Sequence, residues 1–229
     1  MSELCLLCGE SFEAPFNLAE LWSWRPLAKA LLCPTCRAGF LRLTPPYCPN
    51  CGRTMSEGAS GPCLDCQRWA GQGFRPQHEA FFHYNEGFKT WLLLYKARGD
   101  IRLGPVMAPR LQAWRAKYPK ALWLPLPSSA GSFARRGFQQ TVLLLKQASL
   151  PYQEAFHLLD RQAKQAGRKR SERLHDHRPL ALRADFKLPK ETELLLFDDV
   201  YTTGTTMYRA YQALAEAGYQ QVHSLSLAR

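Results

Sequence analysis

Past residue 79 the apolar positions of this chain alternate between two rhythms. Residues 80–84 (AFFHY), 122–126 (LWLPL), 154–158 (EAFHL), 193–197 (ELLLF) and 222–227 (VHSLSL) are short apolar runs of strand length. Between them, apolar residues recur three and four apart. Phe88, Trp91, Leu92 and Tyr95 mark one helical face within 86–98, and Met207, Ala210, Tyr211 and Leu214 mark another, which Gly218 ends. Residues 106–117 and 138–148 also predict helices, with Pro109 at an early turn or kink. Strands alternating with helices predict an α/β fold with a mostly parallel sheet and helices on both faces, in which ligands sit beyond the carboxyl ends of the strands. The first 68 residues show no such rhythm. Residues 69–78, with two glycines and a proline, read as a linker. The expected organisation is a small cysteine-rich domain at 1–68, a linker at 69–78 and an α/β domain at 79–229.

All eight cysteines fall in four C-x-x-C pairs: Cys5 and Cys8, Cys33 and Cys36, Cys48 and Cys51, Cys63 and Cys66. A two-residue gap lets both sulfurs face one point, as a tetrahedral ion requires, and four pairs make two four-cysteine zinc sites. Gly9 and Gly52, just after two of the pairs, let the backbone turn and aim amides at the sulfurs. A thioredoxin-like redox motif uses one pair beside a βαβ unit, not four in a row. A disulfide framework needs an oxidising compartment, for which the sequence carries no signal. Sequential and crossed pairing are both geometrically open, with sequential the simpler. Four thiolates leave no position for water, so the zinc is structural, and a region this short in apolar residues needs it to fold.

At Asp198-Asp199-Val-Tyr-Thr202-Thr203-Gly204-Thr205-Thr206 the apolar run 193–197 meets paired carboxylates, then threonines around one glycine, then a helix. A helix N-terminus offers unpaired amides and the positive end of its dipole, threonine hydroxyls add donors, and Gly204 permits close approach of a phosphate. The two carboxylates suit sugar hydroxyls or a ligand-bound magnesium ion. A Walker B strand looks similar but requires a G-x-x-x-x-G-K-[ST] loop, which the chain lacks. An ordinary strand–turn–helix with capping threonines explains the helix start but not the adjacent acids.

Charge narrows the partners. Thirty basic residues against nineteen acidic give a formal +11, and two tetrathiolate zinc sites lower it only to about +7. The excess is concentrated. Residues 96–120 hold Lys96, Arg98, Arg102, Arg110, Arg115, Lys117 and Lys120 against Asp100, and 161–178 is also rich in Arg and Lys. Such stretches suit a polyphosphate or nucleic acid, or are solvated faces. Trp91, Trp114 and Tyr118 offer rings for stacking on bases, although packing in the core is the more ordinary use of Trp91. No apolar run reaches the roughly 18 residues of a membrane span, and no secretory signal is visible at Met1–Cys5, so a cytoplasmic protein is expected.

These motifs, with Ala134-Arg135-Arg136-Gly137-Phe138-Gln139-Gln140 and Arg170-Ser-Glu-Arg173-Leu174, resemble the ComF/GntX family, in which a cysteine-rich zinc region precedes a type I phosphoribosyltransferase domain. The family has asparagine where Gln139 stands. The resemblance implies that Asp198 and Asp199 contact ribose hydroxyls and that Thr202, Thr203, Gly204, Thr205 and Thr206 bind the 5-phosphate of phosphoribosyl diphosphate, carried with magnesium. It places the diphosphate loop at 127–136 and a mobile loop at 161–173. Arg135, Arg136, Arg170 and Arg173 have the guanidinium forks that grip phosphate oxygens, unless they are simply solvated. His175 and His177 read as surface residues. Two functions follow as expectations. One is an accessory role in DNA uptake during natural transformation, with single-stranded DNA or a competence helicase as partner. The other is a phosphoribosyltransferase acting on an unknown acceptor.

Overall fold

The computed structural model describes residues 2–14, 29–128, 130–159 and 180–229. Four parallel strands form its centre in the order β3-β8-β7-β4: β3 (His78–Phe82), β4 (Leu122–Pro125), β7 (Leu194–Val200) and β8 (Val222–Ala228). Between β3 and β4 run α3 (Glu86–Leu92), a π-helical turn (Leu93–Ala97), a 3-10 stretch (Ile101–Met107) and α4 (Ala108–Lys117). Helices α5 (Ala130–Arg136) and α6 (Gln140–Gln147) follow β4, and α7 (Thr205–Glu216) joins β7 to β8.

Side-chain alternation along β7 explains why helices cover both faces. Leu195 and Phe197 point to one core with Trp91, Tyr95, Leu111, Trp114 and Leu144, from α3, the π turn, α4 and α6. Leu194 and Leu196 point to the other with Met207, Ala210 and Leu214 of α7. A run buried on both sides has no polar face to show, which is why 193–197 reads as continuous apolar sequence.

The amino-terminal region carries β1 (Ser2–Leu4) and β2 (Ser11–Glu13), antiparallel, then α1 (Pro34–Ala38) and α2 (Leu64–Ala70). Residues 41–43 run beside β3, with Leu43 N donating to Phe81 O at 2.9 Å and His83 N to Leu41 O at 2.9 Å. That pairing covers an otherwise open sheet edge.

Three readings of the sequence need correcting. The helix expected over 86–98 changes to π geometry at Leu93, where Arg98 N reaches back five residues to Leu93 O at 3.1 Å. A small antiparallel pair, β5 (Phe156–Leu158) with β6 (Leu180–Leu182), includes a strand the apolar pattern did not reveal, because three residues are too few for a period. Trp114 is 3% exposed, so its ring is not presented to a base, whereas Trp91, at 0%, packs in the core as its more ordinary reading had it. Among the described residues no helix is long and apolar enough to cross a membrane.

Candidate functional site

The two acids lie within β7 rather than past its end. Asp198 is in register with Ser226 of β8, and Tyr201 N still donates to Ala228 O at 2.9 Å. Only then does the chain leave the sheet through Thr202, Thr203 and Gly204 into α7. Gly204 caps that helix at φ +83°, and a Cβ there would sit 2.2 Å from the Tyr201 hydroxyl. Glycine is therefore required on two counts: the left-handed backbone and the space. Thr202, Thr203 and Thr206 are exposed, and the Thr203 and Thr205 hydroxyls lie 2.9 Å apart. The first-turn amides of α7 have no partners within the helix, and that of Thr205 reaches the Thr203 hydroxyl at 3.5 Å.

Asp199 is 4% exposed, and its Oδ2 accepts from Lys96 Nζ at 2.7 Å. Lys96 sits in the π turn, a distortion often found at functional sites. Burial by itself would depress the Lys96 ammonium, but the Asp199 charge and hydrogen bond more than offset it, and the net shift is upward. Asp198 Oδ1 accepts from the Asp199 amide at 2.8 Å. Burial, then repulsion from Asp199, push the Asp198 carboxyl up to about 8, although Lys96 opposes the rise. The pair is thus poised to hold one proton near neutral pH until a cation or a hydroxyl-rich ligand arrives.

Two expectations follow. Lys96→Met leaves Asp199 buried beside Asp198 without a counter-charge and should destabilise the fold by about 3 kcal/mol at pH 8.5, less at pH 5. Adding Asp199→Asn should restore most of that in urea unfolding. The raised Asp198 makes stability fall with pH. Below about pH 4 the folded and unfolded carboxyls both carry the proton. From there to about 8 only the folded one keeps it, so stability declines until the loss is complete. Asp198→Asn should flatten this decline, and its advantage over the parent chain should widen across that window. A constant difference at pH 5 and 8.5 contradicts the assignment.

The loop after β4 faces the acids across the strand pair, since Pro125 is in register with Phe197. Ser128 N donates to Gln139 Oε1 at 2.9 Å, Ser128 Oγ bonds Gln140 Oε1, and Thr141 Oγ1 donates to Leu126 O at 2.9 Å. Gln139 therefore has a definite task here: its amide oxygen holds the loop. Arg136 is half-buried. Burial works against its charge, and Asp199 favours it. Arg135 is exposed, with Nε donating to Gly131 O at 3.3 Å. Arg170 and Arg173, the 161–173 loop, His175, His177 and the basic stretch 161–178 lie outside the described residues. The structure thus gathers Asp198, Asp199, the threonine loop and Arg136 at one end of the sheet. It adds Lys96, which the sequence showed only as one more positive charge.

The cysteines form two groups in sequential pairing, Cys5, Cys8, Cys33, Cys36 and Cys48, Cys51, Cys63, Cys66, with all sulfurs in a group within 4.8 Å of one another. Cys8 and Cys33 sulfurs are 3.9 Å apart, and Cys51 and Cys63 sulfurs 3.6 Å. A tetrahedral zinc ion with bonds of about 2.3 Å sets separations of about 3.8 Å, so both groups fit one. The groups repeat each other. Cys33 and Cys63 each precede a short helix at φ −64°, and Gly39 and Gly71 cap those helices. The second group shares its core with α7, and Cys5 and Cys33 of the first pack in the opposite one.

The basic stretch 96–120 is less free than its sequence implies, because Lys96, Arg102 and Lys117 pair with Asp199, Asp100 and Glu79. A separate cleft of about 1180 Å³, away from the acids, has Lys29, Arg37, Arg42, Arg102 and Arg110 in its lining together with Phe40, Phe82 and Met107.

A parallel sheet with helices on both faces, an acid pair and threonine loop at its carboxyl end and two tetracysteine groups define an α/β protein with a zinc-ribbon-like region. The chain is 34% identical over 225 residues to competence protein ComFC of Streptococcus pneumoniae, covering 98% of this chain and 99% of that protein. It is 29% identical over 222 residues to competence protein ComFC of Bacillus subtilis, covering 94% and 90%. The chain belongs to the ComF/GntX family. No protein-family model matches it. A solved structure of the allosteric regulatory enzyme of purine biosynthesis aligns with 46% of this chain and 21% of its own at 18% identity and a TM-score of 0.30, too slight a likeness to bear on the fold.

Proposed function

We propose that this chain is a competence-associated protein of DNA uptake whose threonine loop binds the ribose 5-phosphate part of phosphoribosyl diphosphate. The observation that carries the reading is the joint placement of the half-buried Asp198, the buried Asp199 and the exposed threonines at the start of α7 at one strand end, which matches hydroxyls at one end of a ligand and a phosphate monoester at the other. Thr202, Thr203, Gly204, Thr205 and Thr206 receive the 5-phosphate, Asp198 and Asp199 the ribose hydroxyls, and Arg135 and Arg136 the diphosphate; a share for Arg170 and Arg173, outside the described residues, rests on the family resemblance. Magnesium on the diphosphate supplies charge neutralisation. Zinc fills both cysteine groups as a structural ion. The cation-lined cleft supports contact with single-stranded DNA, whose phosphates would make binding salt-dependent. A helicase partner rests on the family resemblance.

A second reading, an active phosphoribosyltransferase, is favoured by the intact acid pair. Loss of diphosphate builds positive charge on the ribose, which the two carboxylates face, and negative charge on the leaving group, which the arginines face; no protein nucleophile is needed. Calorimetry with phosphoribosyl diphosphate and magnesium tests the binding, and diphosphate release across a panel of bases tests the transfer. Heat of binding without release supports the first reading, in which the loop binds the ligand without transfer. Absence of binding overturns both.

A further inference from the structure

The second cysteine group reaches the threonine loop by two routes. Cys63 caps α2, Cys66 lies in its first turn, and Trp69 sits at its end. The Trp69 indole N–H donates to Thr203 O at 2.8 Å, tying the loop backbone to the helix that carries two of the four sulfurs. Its ring lies 4.8 Å from Tyr208 of α7. The other route runs through Tyr201, whose hydroxyl lies directly beneath Gly204. Its ring is held between His78 at 4.1 Å and the Arg229 guanidinium at 4.3 Å.

Arg229 is the unexplained element. Its guanidinium nitrogens are buried against the ring and hydroxyl of Tyr201, and among the described residues no carboxylate pairs with it. A buried guanidinium without a counter-ion is strongly unfavourable. Tyr201, against which the guanidinium lies, packs in one core with Cys48, Cys51, Cys63 and Cys66, and four thiolates around a divalent ion carry a net charge of about −2. The loaded cysteine group is the negative charge that this arrangement offers Arg229, one ring away.

We propose that the second tetracysteine group, with its metal, is the mount of the threonine loop. Trp69 and the Arg229-braced Tyr201 hold the loop in the shape that accepts a phosphate, so metal at this group, and not at the first, sets the affinity for a sugar 5-phosphate. The inference rests on the reading of the loop given above. The first group sits in the core on the opposite face of the sheet, away from both routes.

The test uses the full chain with both ions bound, ribose 5-phosphate as probe, and zinc transfer to a chromophoric chelator as an independent readout. Trp69→Phe keeps the ring but removes the donor. It should release zinc at the parent rate and bind ribose 5-phosphate about fivefold more weakly. Arg229→Gln should release one of its two ions at least about tenfold faster, and binding should disappear as that ion leaves. Arg229→Lys should restore much of the retention. Parent-like affinity in Trp69→Phe, or ligand binding that survives loss of the labile ion, overturns the proposal. If the parent chain itself ignores ribose 5-phosphate, the loop reading fails, and this inference fails with it.

Discussion

Replacing Asp198 and Asp199 together by asparagine should weaken ribose 5-phosphate binding by roughly thirty- to a hundredfold while the chain remains folded. The side chains keep their size, so the core around β7 is undisturbed. What disappears is charge. Hydrogen bonds to a carboxylate contribute about 1.5–3 kcal/mol, those between neutral groups about 0.5–1.5. Two such contacts differ by about 2–3 kcal/mol in sum, which sets the expected factor. Lys96 loses its partner, but its side chain is 36% accessible and reaches water. Inorganic phosphate, which meets only the threonine loop, should bind the parent and the double variant alike. Calorimetry with both probes checks this. Equal ribose 5-phosphate affinity in the two chains would mean that the acids do not meet the sugar.

Stripping the metal should have the larger effect on stability. Structural zinc in a four-ligand site contributes about 10–16 kcal/mol of folding free energy, which equals or exceeds the whole stability of an ordinary domain at about 5–15 kcal/mol. The damage will not stay in the amino-terminal region. Cys48, Cys51, Cys63 and Cys66 pack in one core with Leu124, Leu196, Met207 and Leu214, and Cys5 and Cys33 pack in the other with Phe82 and Phe88. Chelation should lower Tm by at least about 20 °C, given roughly 2–4 °C per kcal/mol for a chain of this size. The four thiols of each group should become reactive together as its ion leaves. Thermal unfolding unchanged by a strong chelator would contradict the zinc assignment.

The parts of the fold that were legible in advance are those where one local rule dominates. The run 193–197 reads as a buried strand and the spacing of Met207, Ala210 and Leu214 as one helix face, as the structure has them. Equal C-x-x-C gaps left little choice but two tetrahedral groups, though not which pairs join. The cysteines of the two groups resolve that in space: each pair finds its neighbour in sequence. What the sequence hid is tertiary. Lys96 looks like any lysine in a basic stretch until a π turn carries it to Asp199, 103 positions away. Trp69 falls in a stretch with no periodicity, so nothing local marks it as the residue that ties α2 to Thr203. Arg229 follows the last strand and shows its isolation only once its neighbours are known. Trp114 read as a ring for bases because periodicity alone does not say which side of a helix faces solvent.

A crystal of the protein grown with ribose 5-phosphate tests the central claim most directly. The phosphate should lie against the backbone amides and hydroxyls at Thr203–Thr206, with the ribose hydroxyls on Asp198 and Asp199 and Lys96 still on Asp199. A bare loop with the ligand held elsewhere, or a phosphate on the cleft lined by Arg42 and Arg110, would contradict it.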